Sequence, residues 1–279
     1  EMAFRMRSQA IKYLASCYSY LGSVTPGQMD YVAYAGSDEF YVPVDFSTGN
    51  EFQPKNSPIL LCFQNVTSPY NNDFAAMYQA FRYCNTFVEE INKVPDMDQW
   101  EKDMWAAEAK VLKAYYMFYA IRKWGPIPIV KKNLEISASI EESRVYRDNI
   151  DDCFDYAIAL IDEASPFLFE EEISKDDLGR ITKPIAAMLK AKIAVTAASP
   201  LFNNNADQAS LVSNGKQLFP TKTAEQQKAR WTAALKACED AIVLCHKVGK
   251  ELYYFSGNFS GDYHIYQELS IREAIGDDW

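Results

Sequence analysis

The sequence predicts a mainly all-α fold: tetratricopeptide-like antiparallel helix hairpins with long irregular loop insertions and few short strands. Three observations predict it. Apolar residues recur at helical spacing in six separate segments. Strand-like alternation is scarce, and Ile127-Pro128-Ile129-Val130 alone reads as a short extended edge segment. Two of the six segments also carry one pattern: Ala109-Lys110-Val111-Leu112-Lys113-Ala114 overlays Ala186-Ala187-Met188-Leu189-Lys190-Ala191, and Ala120 then falls on Ala197. Small residues at a fixed place in a repeated helix let two backbones approach closely, as stacked helix-turn-helix units require.

The first helix is expected over residues 4–21, ending at Gly22, with Phe4, Ile11, Leu14, Ala15 and Tyr18 inward. The second spans 73–93, capped by Asn72 or Asp73 and stopped by Pro95. Its stripe is Phe74, Met77, Phe81, Cys84, Val88 and Ile91. The third spans 97–124 and stops at Gly125-Pro126. It is apolar on most sides, so a central position is expected. The fourth covers 144–164 before Pro166. The fifth covers 183–198, with Thr182 as N-cap and Pro184 in the first turn, where a missing N–H is harmless. The sixth covers 223–248 before Gly249.

Helices two and three, and four and five, read as pairs. The sixth lacks a partner downstream, where Leu252-Tyr253-Tyr254-Phe255 opens irregular sequence and the C-terminus reads as truncated. Residues 1–279 read as one helical domain, with a loop-rich insertion at 23–72 and helix pairs over 73–248. That insertion mixes aromatics (Tyr31, Tyr34, Phe40, Tyr41) with Asp38, Asp45, Asn65 and Asn71. Loops this long are usually functional or disordered, and the aromatics point to an ordered one.

Composition removes several classes. Of 279 residues, 24% are charged and 48% hydrophobic, a globular balance. Net charge is −10 with no basic block, which excludes a nucleic-acid partner in which phosphate neutralisation dominates. The apolar run Ile59-Leu60-Leu61-Cys62-Phe63 is far short of a membrane span. The six cysteines form no CxxC pair and histidines number two, so no metal site is expected and the thiols read as buried and free. Calcium held by Asp and Asn oxygens in a loop stays open.

No catalytic residues and no cofactor are expected. Adjacent carboxylates such as Asp38/Glu39, Asp151/Asp152, Asp176/Asp177 and Asp277/Asp278 point in different directions in an ordinary chain. A glycosidase would need two facing each other across a cleft. No GxSxG elbow and no Gly-rich phosphate loop occur. Glu108 and Arg122 on the third helix read as ion-pair formers with neighbouring helices. Tyr115, Tyr116 and Tyr119 read as core with hydroxyls at a polar rim. The aromatic-polar loop fits sugar, whose C–H faces stack on rings and whose hydroxyls bond to Asp and Asn. Asp38, Tyr41, Asn65, Tyr70 and Asn71 are the candidate ligand-binding residues on that chemistry.

Two motifs then resemble a known family. Residues Trp105 to Phe118, with Glu108, Leu112, Lys113, Tyr115 and Tyr116, followed by Trp124-Gly125-Pro126-Ile127-Pro128, resemble the AEARFLRAYYYF…YG-x-x-P signature of SusD/RagB proteins. Arg82, Asn85 and Phe87 fit its R-x-x-N-x-F pattern, and Gly179-Arg180-Ile181-Thr182-Lys183 with Ser199-Pro200-Leu201-Phe202 fits its second marker. The resemblance covers about residues 73–246. It implies a surface-exposed outer-membrane lipoprotein of Bacteroidota-type bacteria, anchored through a Cys upstream of Glu1. Such a protein is not an enzyme. It binds oligosaccharide and caps a SusC-type TonB-dependent transporter, with the remaining C-terminal half as a further partner if it is a separate segment. A helical scaffold for a peptide or protein, and last a glycoside hydrolase, are the alternatives.

Overall fold

In a computed structural model, residues 2–21, 65–67, 69, 72–171 and 175–254 are described. Seven α-helices occur among them. α1 is Arg7–Tyr18, preceded by a 3-10 turn at Met2–Phe4. It buries Ala10, Leu14 and Cys17, a 4-3 spacing. Ala15, expected inward, is exposed because it lies about 100° from Leu14.

α2 is Phe74–Glu90, extended by a 3-10 turn at Ile91–Lys93. Met77, Ala80, Phe81, Cys84 and Phe87 form its inner face, with Phe74 and Val88 at the margin. α3, Gln99–Trp124, is the centre of the molecule and packs against α1, α2, α5 and α6. Trp105, Tyr116, Phe118 and Leu112 are almost fully buried there. Each such side chain contributes up to about 3 kcal/mol by burial. Gly125 ends the helix at φ 70, ψ −139, a region essentially closed to residues with a Cβ, while its N–H still reaches Ile121 O at 2.8 Å.

Residues 127–131 are extended but pair with no strand. Their backbone is satisfied by side chains from helices instead: Tyr78 Oη donates to Pro128 O (2.9 Å) and Lys113 Nζ to Val130 O (2.8 Å). The sheet among the described residues is a hairpin, β1 (Val212–Ser213) and β2 (Lys216–Gln217). Asn214 and Gly215 turn it at φ 49 and 75, an Asn-Gly two-residue turn of primed type.

The fourth expected helix begins only at residue 150, and a separate turn precedes the expected span. α4 is the single turn Ile140–Ser143, closed by a Ser139–Glu142 capping box, and α5 is Ile150–Ala164. Residues 144–149 stay extended because Asn149 Oδ1 caps Asp152 N at 2.8 Å. Asp148 is engaged across the molecule, accepting from Ile129 N and Lys216 Nζ.

α6 is Lys183–Ala198, as expected, although Thr182 makes no side-chain cap bond. α7 is Ala224–Lys247, and Thr223 closes a capping box with Gln226. The sequence after residue 254, where a downstream partner was not expected, lies outside the described residues, and α6 and α7 share the most extensive contact in the described fold. Ala191, Ala194 and Ala198 meet Ala234, Ala237 and Ala241 there. Small residues on both sides let the axes close, so α6 contacts α5 on one flank and α7 on another. The repeat register holds in burial: Ala109/Ala186, Ala114/Ala191 and Ala120/Ala197 are all buried. Cys17, Cys84, Cys153, Cys238 and Cys245 are free thiols.

Candidate functional site

The segment carrying Asp38, Tyr41, Tyr70 and Asn71 lies outside the described residues. Both chain ends flanking it are held by α3. On the leading side, Tyr116 Oη donates to Cys17 O at 2.6 Å, and Tyr20 packs against Tyr83 and Tyr116. On the returning side, Asp73 accepts from Tyr119 Oη (2.8 Å) and Lys123 Nζ (2.6 Å). Asp73 precedes α2 but makes no cap bond, because its carboxylate is turned to α3. The tyrosines read as core thus act as tethers through their hydroxyls. Burial pushes the Tyr119 and Tyr116 hydroxyls well above the ordinary phenol range, so they remain donors at any ordinary pH. Asn65 is exposed, and its Oδ1 accepts from Thr67 N at 3.0 Å in an Asx turn.

The polar motif residues meet each other. Glu108 on α3 is 1% exposed and accepts from Arg180 Nη2 (2.5 Å) and Nε (3.2 Å), from just before α6. Tyr18 Oη of α1 completes its shell at 2.5 Å, and Tyr18 Oη also accepts from Ile181 N. One carboxylate therefore joins three elements. Burial pushes the Glu108 carboxyl up, opposed by Arg180 and Tyr18. Burial alone would lower Arg180, but Glu108 and Asp177 outweigh it and hold the cation. The guanidinium groups of Arg7 and Arg180 lie 5.3 and 5.6 Å from the Trp105 ring. The cleft beside this network, lined by Phe169, Asp177 and Thr182, measures about 20 Å³, room for a single water. It is a brace, not a ligand pocket. Arg122 forms no part of it, and its guanidinium lies 4.7 Å from the Phe118 ring instead.

A second buried charge had no reading in the sequence. Lys113, 4% exposed, donates to Asn85 Oδ1 (2.6 Å), Val130 O (2.8 Å) and Tyr156 Oη (3.0 Å). The signal was present: Ala109, Lys113, Tyr116 and Ala120 share one helical stripe, so a lysine stands in a core register. Several of the described acids are held in ion pairs. Asp151 bridges Lys222 and Arg230, Asp177 bridges Arg180, and Glu170 bridges Lys247. No group of three His, Cys, Asp or Glu residues able to hold a metal occurs among the described residues.

Fold and site together define a helical-repeat frame braced by the buried Glu108–Arg180 ion pair. Residues 14–195 match the SusD-like family model, described as starch-binding and associating with the outer membrane, and the chain belongs to that family. Among solved structures it is similar to the protein BT4246, at 25% identity and a TM-score of 0.76 over 95% of this chain and 46% of that one. A SusD-like protein from Bacteroides fragilis shares the fold at 17% identity and a TM-score of 0.62, over 91% of this chain and 40% of that one. Surface glycan-binding protein A from Bacteroides thetaiotaomicron, solved with laminarihexaose, shares it at 16% identity and 0.56, over 92% and 45%. The chain thus spans less than half the length of the solved structures it matches. No curated protein matches it.

Proposed function

We propose that this protein binds oligosaccharide at the bacterial cell surface without cleaving it, and passes it to a SusC-type TonB-dependent transporter of the outer membrane. Membership in a family described as starch-binding and outer-membrane-associated is the observation that carries this reading. The lipid anchor is an upstream Cys. No helix among the described residues is long and apolar enough to cross a membrane, which is compatible with anchoring from outside. The ligand contacts come from residues 23–72, with Asp38, Tyr41, Asn65, Tyr70 and Asn71 as the bonding and stacking groups. Affinity electrophoresis in gels containing single polysaccharides tests it. Retardation by at least one glycan, with no reducing ends released, is expected. Loss of that retardation in Tyr41→Ala or Tyr70→Ala would place the contacts in this segment. Unretarded migration in every glycan overturns the reading.

One observation favours a second reading, a scaffold that grips a peptide or protein. Ile185, Met188 and Val195 of α6 and Trp231, Leu235 and Ile242 of α7 are all exposed, each set on one helical stripe. Capture of a peptide with no glycan retardation would favour it.

A further inference from the structure

Beside α3 lies a cavity of about 180 Å³, walled by α2, α3, α5 and loop residues 131–132. It shares no lining residue with the cleft beside the Glu108 brace. Its chemistry is cationic in a chain whose net charge is −10. Lys110, Lys113, Lys131 and Lys132 line it, against two carboxylates, Glu89 and Glu163. Glu163 is already engaged by Lys110 Nζ at 2.9 Å. No described carboxylate comes within 4 Å of Lys113, Lys131 or Lys132.

The Lys113 ammonium is fixed by neutral dipoles alone: Asn85 Oδ1, the carbonyls of Val130 and Lys131, and Tyr156 Oη. Lys131 Nζ and Lys113 Nζ stand 5.6 and 5.1 Å from the centre of the same Tyr156 ring. Two like charges therefore share one ring without a counter-ion in contact. Their repulsion is felt more strongly at a half-buried site than in water. Cys84 and, after it, Glu89 on the cavity wall attract the Lys113 charge. A small anion with a few waters fits the volume.

We propose that this cavity binds an oxyanion group, a sulfate or a carboxylate, between Lys131 and Lys132, with Lys113 supplying fixed positive charge from behind. The exposed Lys131 and Lys132 side chains reach and orient the anion. Lys113 cannot turn toward it, because its three N–H bonds are already committed.

Calorimetric titration with sodium sulfate and, separately, sodium glucuronate at constant ionic strength tests the site, using chloride as reference. Saturable binding is expected. The Lys131→Gln/Lys132→Gln double variant should weaken it about tenfold or more, since two charge-assisted contacts are lost. Its melting temperature in chloride should stay that of the parent, which separates a lost site from a lost fold. Glu89→Gln should tighten binding several-fold by removing the opposing charge. Binding of sulfate alone supports a free tetrahedral oxyanion; binding of glucuronate as well supports an acidic sugar. Heats no larger than those of chloride, or equal affinity in the double variant, overturn the proposal. Retardation by neutral glycans is read separately, so either result stands without the other.

Discussion

Glu108 and Lys113 sit five residues apart on the same helix, both almost wholly buried, yet their charges are handled in opposite ways. Glu108 meets a fixed cation, Arg180, plus a tyrosine hydroxyl, and the ensemble ties α1, α3 and the start of α6 together. Lys113 meets oxygen dipoles only. An ion pair offsets desolvation through direct attraction, and removing one member leaves the other uncompensated. Dipoles hold a cation in place without neutralising it. The first arrangement is therefore closed, with about 20 Å³ beside it, and the second keeps an outward field over about 180 Å³. Burial of charge on one helix thus yields a brace at one site and a receptive surface at the other.

Four measurements sharpen or break that contrast. Arg180→Met leaves Glu108 buried without its cation and should destabilise by about 3–5 kcal/mol in urea unfolding. Adding Glu108→Leu should restore most of it, and a single variant costing under about 1 kcal/mol would mean the pair braces nothing. Asn85→Leu removes the shortest contact of Lys113, a hydrogen bond to a charged group, and should cost about 1.5–3 kcal/mol.

The third measurement is of pH. Burial lowers Lys113 to about 8, below the ~10.4 of a free lysine. Across that interval the unfolded chain keeps a proton that the folded chain has released, so this group makes stability rise with pH above about 8. The thiols of Cys84, raised by its bond to Cys17 and by burial, and Cys153, raised by burial, oppose it at alkaline pH. The difference between parent and Lys113→Met isolates the lysine, and that difference should change between pH 8 and about 10. A flat difference would show that Lys113 is paired after all. Lys131→Gln, on an exposed side chain, should move stability by less than about 0.5 kcal/mol in chloride while weakening anion binding.

Much of the frame was legible in the residues. α6 was bounded correctly by Thr182, Pro184 and Pro200, and α3 by its all-round apolar stripes and Gly125, because caps and periodicity are local signals. The six repeat alanines were read as close-approach positions and are buried. Two things were misplaced for non-local reasons. Residues 144–149 carry helical spacing, but contacts from Ile129 and Lys216 hold Asp148 in extended chain. Asp73 has the composition of a cap and serves α3 instead. The Asn214-Gly215 turn was a local signal passed over beside the larger helices.

The candidate site divides likewise. Tyr119 was expected to reach a polar rim and does, on Asp73, whereas the Tyr116 hydroxyl ends on the buried carbonyl of Cys17. That Glu108 would find Arg180, 72 residues away, and that Lys113 would find no acid, followed from which helix packs beside which. Periodicity, caps and the alanine register are properties of neighbours along the chain, and they determined the helices and the closely packed faces by themselves. Pairing of buried charges depends on distances between segments remote in sequence. Only tertiary packing could decide which charge became a brace and which was left facing an open cavity.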